Sequence, residues 1–227
     1  MSSQILVTDR SNSFNYLTRT ESRLLAMTII SLLLRNILLK DFNYLFIVWN
    51  LFLAFVPIII QQLSLKHVSV GSKLWYLTMA SWLLFLPNAP YIVTDLIHPI
   101  TSFQRGKVAG LPLGFLSVIS AAGLGLMWYF RSLRFFEKQL DHLGFSDPLR
   151  RATIALVALA TGCGVWMGRT LRLNTWDVLT KPWQVVTQSA QFITTPMYAE
   201  WIFVTALILW CCWRVYERWY WVSEVIE

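Results

Sequence analysis

The chain has 227 residues, of which 56% are hydrophobic and only 14% charged, with a mean hydropathy of +0.53 and a formal net charge of +7. That much apolar surface exceeds what a soluble domain of this size can hide in one core, so the chain belongs in lipid, and the short connections leave no room for a separate soluble enzyme or nucleic-acid module. The basic residues flank apolar runs and form no stripe, which reads as membrane orientation and excludes nucleic acid as a partner.

The first twenty residues are polar and lack an apolar core followed by a small-residue cleavage site, so the first apolar run, 24–40, is expected to be an uncleaved anchor. It carries Arg35. Crossing a hydrocarbon layer about 30 Å thick takes roughly 20 mostly apolar helical residues. Five further runs meet that need, at 43–62, 74–94, 109–130, 151–172 and 197–216. Together they predict an all-α polytopic membrane bundle of about six transmembrane helices. It forms one domain, 24–216, between tails 1–23 and 217–227.

The second run holds Asn50. The third ends in Asn88-Ala-Pro-Tyr-Ile-Val-Thr-Asp-Leu-Ile-His98, where Pro87 and Pro90 each remove a backbone donor and predict a kink. Carbonyls left bare at membrane depth need protein or water beside them, so the proline pair points to a cavity there. Gly110-xxx-Gly114 opens the fourth run and Gly164-xxx-Gly168 lies late in the fifth, spacings that let helices approach closely. Ser146-Asp147-Pro148 is expected to start the fifth helix, with Asp147 as cap and Pro148 in the first turn. That helix ends in Gly168-Arg-Thr-Leu-Arg-Leu-Asn-Thr-Trp-Asp177. Residues 181–195 read either as an amphipathic lid lying on the surface or as a loop. Cys163, Cys211 and Cys212 lie within runs, without metal-type spacing, and read as packing residues. Trp75, Trp128, Trp201, Trp219 and Trp221 lie near run ends and read as interfacial anchors.

Orientation follows from Lys and Arg. Twelve fall on one side (Arg10, Arg19, Arg23, Lys66, Lys73, Arg131, Arg134, Lys138, Arg150, Arg151, Arg214, Arg218), against six on the other (Lys40, Arg105, Lys107, Arg169, Arg172, Lys181). Both termini are therefore expected in the cytoplasm, and the two polar strings face out. At 1.5 Å per helical residue, Asn88 lies about 22 Å and Asp95 about 33 Å above Lys73, while Arg169 and Arg172 lie about 27 and 32 Å above Arg151. Arg35 and Asn50 fall near the same depth. Four helices thus bring polar groups to one outer layer.

Trp49-Asn-Leu-Phe-Leu-Ala-Phe-Val-Pro57, Phe85-Leu-Pro-Asn-Ala-Pro-Tyr-Ile-Val-Thr-Asp-Leu-Ile-His98 and Gly168-Arg-Thr-Leu-Arg-Leu-Asn-Thr-Trp-Asp177 resemble the signatures of a bacterial multi-pass membrane family, domain of unknown function 1361. The resemblance runs from roughly residue 24 to 216, and its most specific part is Asn-Ala-Pro-Tyr. It implies a multi-pass protein of the bacterial plasma membrane and brings no activity. It also implies that Trp49, Asn50, Asn88, Pro90, Tyr91, Asp95, His98, Arg169, Arg172, Asn174, Trp176 and Asp177 belong to the family pattern. Pro99 and Thr175 depart from it, where an apolar residue and Ser are expected.

Three functional readings stay open. In the first, an outward-facing pocket binds a polar or anionic ligand, such as a lipid headgroup or envelope precursor. Its candidate contacts are Arg35, Asn50, Asn88, Tyr91, Arg169, Arg172, Asn174 and Trp176, with the two late arginines as an anion clamp. In the second, Asp95 and His98, with Asp177, hold a divalent metal or act as acid and base on an outer-leaflet ester or phosphoester. The third is a small transporter, although the polar groups gather at one face and not at the midplane. Each residue also has a plainer use. Arg169 and Arg172 fit snorkelling to headgroups, Asp95 and Asp177 fit salt-bridge partners, His98 fits an exposed loop and Tyr91 an anchor. Arg35 and Asn50 are the hardest to explain so, because polar groups inside a span are costly unless they face protein or water. Membrane lipids are the one partner that the composition itself requires.

Overall fold

The computed structural model describes residues 17–40, 42–106 and 108–226, with side chains as far as 218. Arg10, Lys107 and the side chains of Trp219 and Trp221 lie outside the described residues. The described chain is helical throughout: α1 (Arg19–Leu39), α2 (Phe46–His67), α3 (Lys73–Phe85), α4 (Asn88–Tyr91), a 3₁₀ segment (Ile92–Leu96), α5 (Ile97–Gln104), α6 (Leu111–His142), α7 (Asp147–Leu171), α8 (Asp177–Thr180), α9 (Pro182–Thr194) and α10 (Pro196–Ile226). Five helices, α1, α2, α6, α7 and α10, are each long and apolar enough to cross a membrane. Their outer faces are apolar as lipid requires: Ile30, Leu33, Ile37 and Leu38 on α1 and Phe203 and Ile208 on α10 are exposed.

The third apolar run, 74–94, is not one helix, and the proline pair is the reason. α3 stops at Phe85, and with no N–H at Pro87 or Pro90 the backbone tightens to three-residue spacing. Ala89 N–H donates to Leu86 O at 3.1 Å, and the 3₁₀ segment follows. The rest of the run continues as short pieces and supplies no single helix long enough to cross, with α4 and the 3₁₀ segment packed against α6. That helix is the hub, touching α1, α2, α4, the 3₁₀ segment, α5 and α7, while α10 packs on α7.

Glycines set the closest approaches. A Cβ on Gly125 would sit 2.3 Å from the carbonyl oxygen of Ala89, and one on Gly164 would sit 2.5 Å from the Pro87 ring. Both α6 and α7 therefore press directly on the broken segment, and Gly164-xxx-Gly168 has its partner there. Gly110, at φ +73, precedes α6 in a left-handed conformation that L side chains adopt at a cost.

Buried polar groups tie the helices together away from the break. Trp82 Nε1 donates to Ser132 Oγ at 2.6 Å, Ser132 Oγ donates to Gln61 Oε1 at 2.9 Å, and Gln61 Nε2 donates to Ser132 O at 2.8 Å. Thr28 and Ser31 of α1 meet Ser120 and Ser117 of α6 at 2.8 and 2.9 Å. At the end opposite the polar strings, carboxylates meet arginines both between helices and within one helix. Glu21, 1% exposed, accepts from Arg131 at 2.7 Å while closing a capping box with Thr18. Glu137 accepts from Arg134 at 2.6 Å and faces Arg150 at 3.3 Å, and Arg150 also reaches Asp141 and Asp147.

Three local expectations are corrected. Ser146, not Asp147, occupies the cap position of α7, and the Asp147 carboxylate instead pairs with Arg150 at 2.9 Å. Trp75 and Trp128 are core residues at 4% exposure, not interfacial anchors. Trp75 donates to Gln139 Oε1 at 2.7 Å, and Trp128 lies against Phe55 at 4.8 Å between ring centres. The helix from Leu111 also runs to His142, well past the apolar run that ends at 130, so Arg131, Arg134 and Lys138 are helical and not in a loop.

Candidate functional site

The break in the third crossing and the C-terminus of α7 meet beside the first turns of α2. Between them lies a cavity of about 470 Å³ whose walls include Asn50, Asn88, Tyr91, His98, Arg169 and Arg172. Tyr91 lies alongside Gly168, where an added Cβ would meet its Cε2 at an ordinary 3.4 Å contact.

Asp95 is the buried hinge of the arrangement, at 2% exposure. Its Oδ2 accepts from Asn50 Nδ2 at 2.7 Å, and its Oδ1 stands 3.8 Å from Arg169 Nη1 and 3.8 Å from His98 Nε2. Burial pushes its carboxyl up to about 6, against the lowering effects of the Asn50 hydrogen bond and the Arg169 charge. His98 is exposed and rests on Phe46 with ring centres 4.7 Å apart. Partial burial, and then the Arg169 charge, pull its imidazole below the usual histidine range, so it is neutral at pH 7. Asn88 Nδ2 donates to Phe85 O at 2.8 Å, covering a carbonyl at the end of α3, and to Thr175 Oγ1 at 3.1 Å.

Arg172 is the conformational outlier. It ends α7 at φ 55, ψ 30, a left-handed position where glycine or asparagine is usual, and among the described residues it makes no ion pair. Its exposed guanidinium lines the cavity.

Asp177 and Trp176 stand apart from this wall. The Asp177 Oδ2 accepts from the Asn174 backbone N–H at 2.7 Å, closing the turn after α7, and that bond holds its carboxyl below the usual range. Asp177 is therefore a turn residue and does not join Asp95 and His98. Among the described residues no three of His, Cys, Asp and Glu gather as a metal-binding set. Asn174 does reach the cavity wall, whereas Trp176 meets the cavity only through Trp49, edge to face at 6.1 Å. Residues 182–194 form helix α9, anchored by Phe192 stacked on Tyr198 at 4.2 Å, and contribute nothing to the lining.

Arg35 lies in a different cavity, of about 730 Å³, with its guanidinium 4.1 Å above the Tyr44 ring. Tyr44, Phe46 and Arg105 share that cavity and lie outside the set that the sequence pointed to. Phe46 opens α2, and Tyr44 and Arg105 sit in turns, where no periodicity marks them. His98 belongs to both walls.

These features define an integral membrane helix bundle with a cationic recess at one end. The family described as Protein of unknown function (DUF1361) matches residues 49–211, and the chain belongs to it. The match includes every residue named on the wall of the Arg169 cavity and begins after α1, which carries Arg35. Among curated proteins and solved structures nothing matches the chain significantly.

Proposed function

We propose that this membrane protein binds a polar or anionic ligand, a lipid headgroup or an envelope precursor, in the cavity walled by α2, α4 and the end of α7. By the Lys and Arg bias this face is extracytoplasmic, and the membrane is read as the bacterial plasma membrane. Arg169 and Arg172 act as the anion clamp. Asn50 and Asn88 hold the walls in place, and Tyr91, His98 and Asn174 offer polar contacts.

One observation carries the reading. Segments as far apart as Asn50 and Arg172 bring two arginines to one recess, and no carboxylate appears among the residues lining it. Charged groups at the edge of lipid are stabilised by partners; Arg169 has Asp95 at 3.8 Å, whereas Arg172 makes no ion pair among the described residues, and an anion in the recess would supply one. The test is ligand-induced thermal stabilisation of the purified protein by inorganic diphosphate and by anionic lipid headgroups, in wild type and Arg172→Ala. A shift in wild type that Arg172→Ala loses supports the reading. Equal shifts in both, or none with any anion, refute it.

A further inference from the structure

A second, separate recess lies on α1 below Arg35. α1 packs along α6, and α2 packs on α3 and α6, so α1 and α2 diverge and leave a cleft between them. Its walls are apolar: Ile29 and Leu32 from α1 face Phe52 and Phe55 from α2, with Trp128 of α6 at the floor, around a volume of about 250 Å³. The cleft opens to lipid, since Ile29 is 46% and Phe52 53% exposed. Arg35 stands one turn above Leu32 on the same helix, roughly 4.5 Å along the axis. The apolar cleft and the Arg35 cavity thus sit on neighbouring turns of α1, and the Arg35 and Arg169 cavities share His98.

Charge sorts along this path. The lower cleft has no charged lining residue, the middle cavity has Arg35 and Arg105, and the upper one has Arg169 and Arg172. The described lining of the upper cavity includes no carboxylate. Arg35 is only 6% exposed and is held over Tyr44, so its charge is fixed in place beside the cavity and does not snorkel away. Gly110 completes the fit, because a Cβ there would lie 2.0 Å from Leu39 at the rim of the Arg35 cavity.

We infer that the ligand is a phosphate-bearing lipid that slides in sideways between α1 and α2. Its acyl chain lies in the cleft on Trp128, its first anionic group meets Arg35 and Arg105, and the rest of its head passes His98 to Arg169 and Arg172. This inference rests on the binding reading above and assigns its ligand class. An apolar tail directly beneath two successive arginine pairs matches an anionic amphiphile, and a free anion would have no use for the lower cleft.

The test uses the full chain in nanodiscs and native mass spectrometry. Lipid probes are phosphatidic acid and phosphatidylcholine of identical chains, and the soluble probe is inorganic diphosphate. Expected for wild type is at least tenfold preference for phosphatidic acid. Ile29→Trp, which fills the cleft from an exposed position, is expected to lower phosphatidic acid retention fivefold or more while diphosphate binding is kept. Arg105→Gln, also at an exposed residue, is expected to lower the headgroup preference by a similar factor. If diphosphate binds and is lost in Arg172→Ala, but Ile29→Trp and Arg105→Gln hold lipid as wild type does, the lipid path is wrong and the binding reading survives. Binding of diphosphate with no preference between the two lipids likewise overturns the lipid path alone. Failure of wild type to bind either probe overturns both.

Discussion

Arg172→Gly separates a ligand contact from a helix stop with one substitution. Arg172 holds a left-handed conformation at φ 55, which costs an L residue about 1–2 kcal/mol. Glycine removes that strain but is more flexible unfolded, which returns about 0.5–1 kcal/mol. The net expectation is a fold unchanged or stabilised by up to about 1 kcal/mol, a Tm shift of roughly 0 to +4 °C for a chain of this length. Binding should move the other way. A hydrogen bond to a charged group contributes about 1.5–3 kcal/mol, so anion affinity should fall about ten- to a hundredfold. The assay is a thermal melt with and without inorganic diphosphate or phosphatidic acid, from which both numbers are read on one sample. A variant that melts several degrees lower yet binds like wild type would show that Arg172 serves the helix end alone.

Other perturbations read other parts of the structure. Asp95 titrates at about 6 when folded against an ordinary 3.8, so the stability it allows below pH 4 is lost as pH rises through 6, by about 3 kcal/mol at most. Asp95→Asn should flatten denaturation midpoints measured between pH 4 and 7, and an unchanged slope would assign the pH dependence to other groups. Glu21→Ala removes the carboxylate shared by Arg131 and the Thr18 cap and should cost about 1–3 kcal/mol in chemical denaturation while leaving diphosphate affinity within twofold. Gly164→Ala forces a Cβ against the Pro87 ring and should destabilise by about 1–3 kcal/mol, with weaker anion binding as α7 moves off the broken crossing. Full affinity in that variant would mean that the arginines do not depend on this packing.

The bundle was legible wherever apolar length alone decides, which is why five runs correspond to five long helices. The third run was legible in a different way: Pro87 and Pro90 announced a break, because a missing donor is a property of the residue and not of its surroundings. Asn50, Asn88, Tyr91, His98, Arg169, Arg172 and Asn174 meet at one wall because each sits where an apolar run begins or ends at the same depth. Other features left no such mark. Trp75 and Trp128 carry the same signal at a run end whether the indole faces headgroups or a glutamine on the next helix. Glu21 and Glu137 lie among basic residues outside the apolar runs, where hydropathy marks no helix, whereas the helices continue and bury them. The Arg35 cavity depends on α1 diverging from α2, a packing choice made by the serine and threonine contacts between α1 and α6. Asp177 failed as a site residue because its nearest demand is local: an aspartate three residues after Asn174 closes the turn before it can reach across to Asp95.

The two ends of the bundle treat arginine in opposite ways, and the proposed anion binding rests on this difference. At one end Glu21, Glu137 and Asp147 meet Arg131, Arg134 and Arg150 at 2.7, 2.6 and 2.9 Å, so the chain supplies its own counter-ions. At the other, Asp95 accepts from Asn50 and stands 3.8 Å from Arg169, Asp177 closes the turn, and the recess beside Arg172 holds no acid among its described lining residues. Supplying that acid should make a ligand redundant. Thr175 lines the recess beside Asn88, and Thr175→Glu puts a carboxylate near Arg169 and Arg172. An exposed pair of this kind contributes about 0.2–1 kcal/mol, a small gain in the absence of ligand. The larger effect is on linkage: an anion at a hundred times its Kd stabilises wild type by about 2.7 kcal/mol, and most of that shift should vanish in the variant. If Thr175→Glu keeps the full anion-induced shift, the recess is not an anion site, and its arginines belong to the surrounding headgroups.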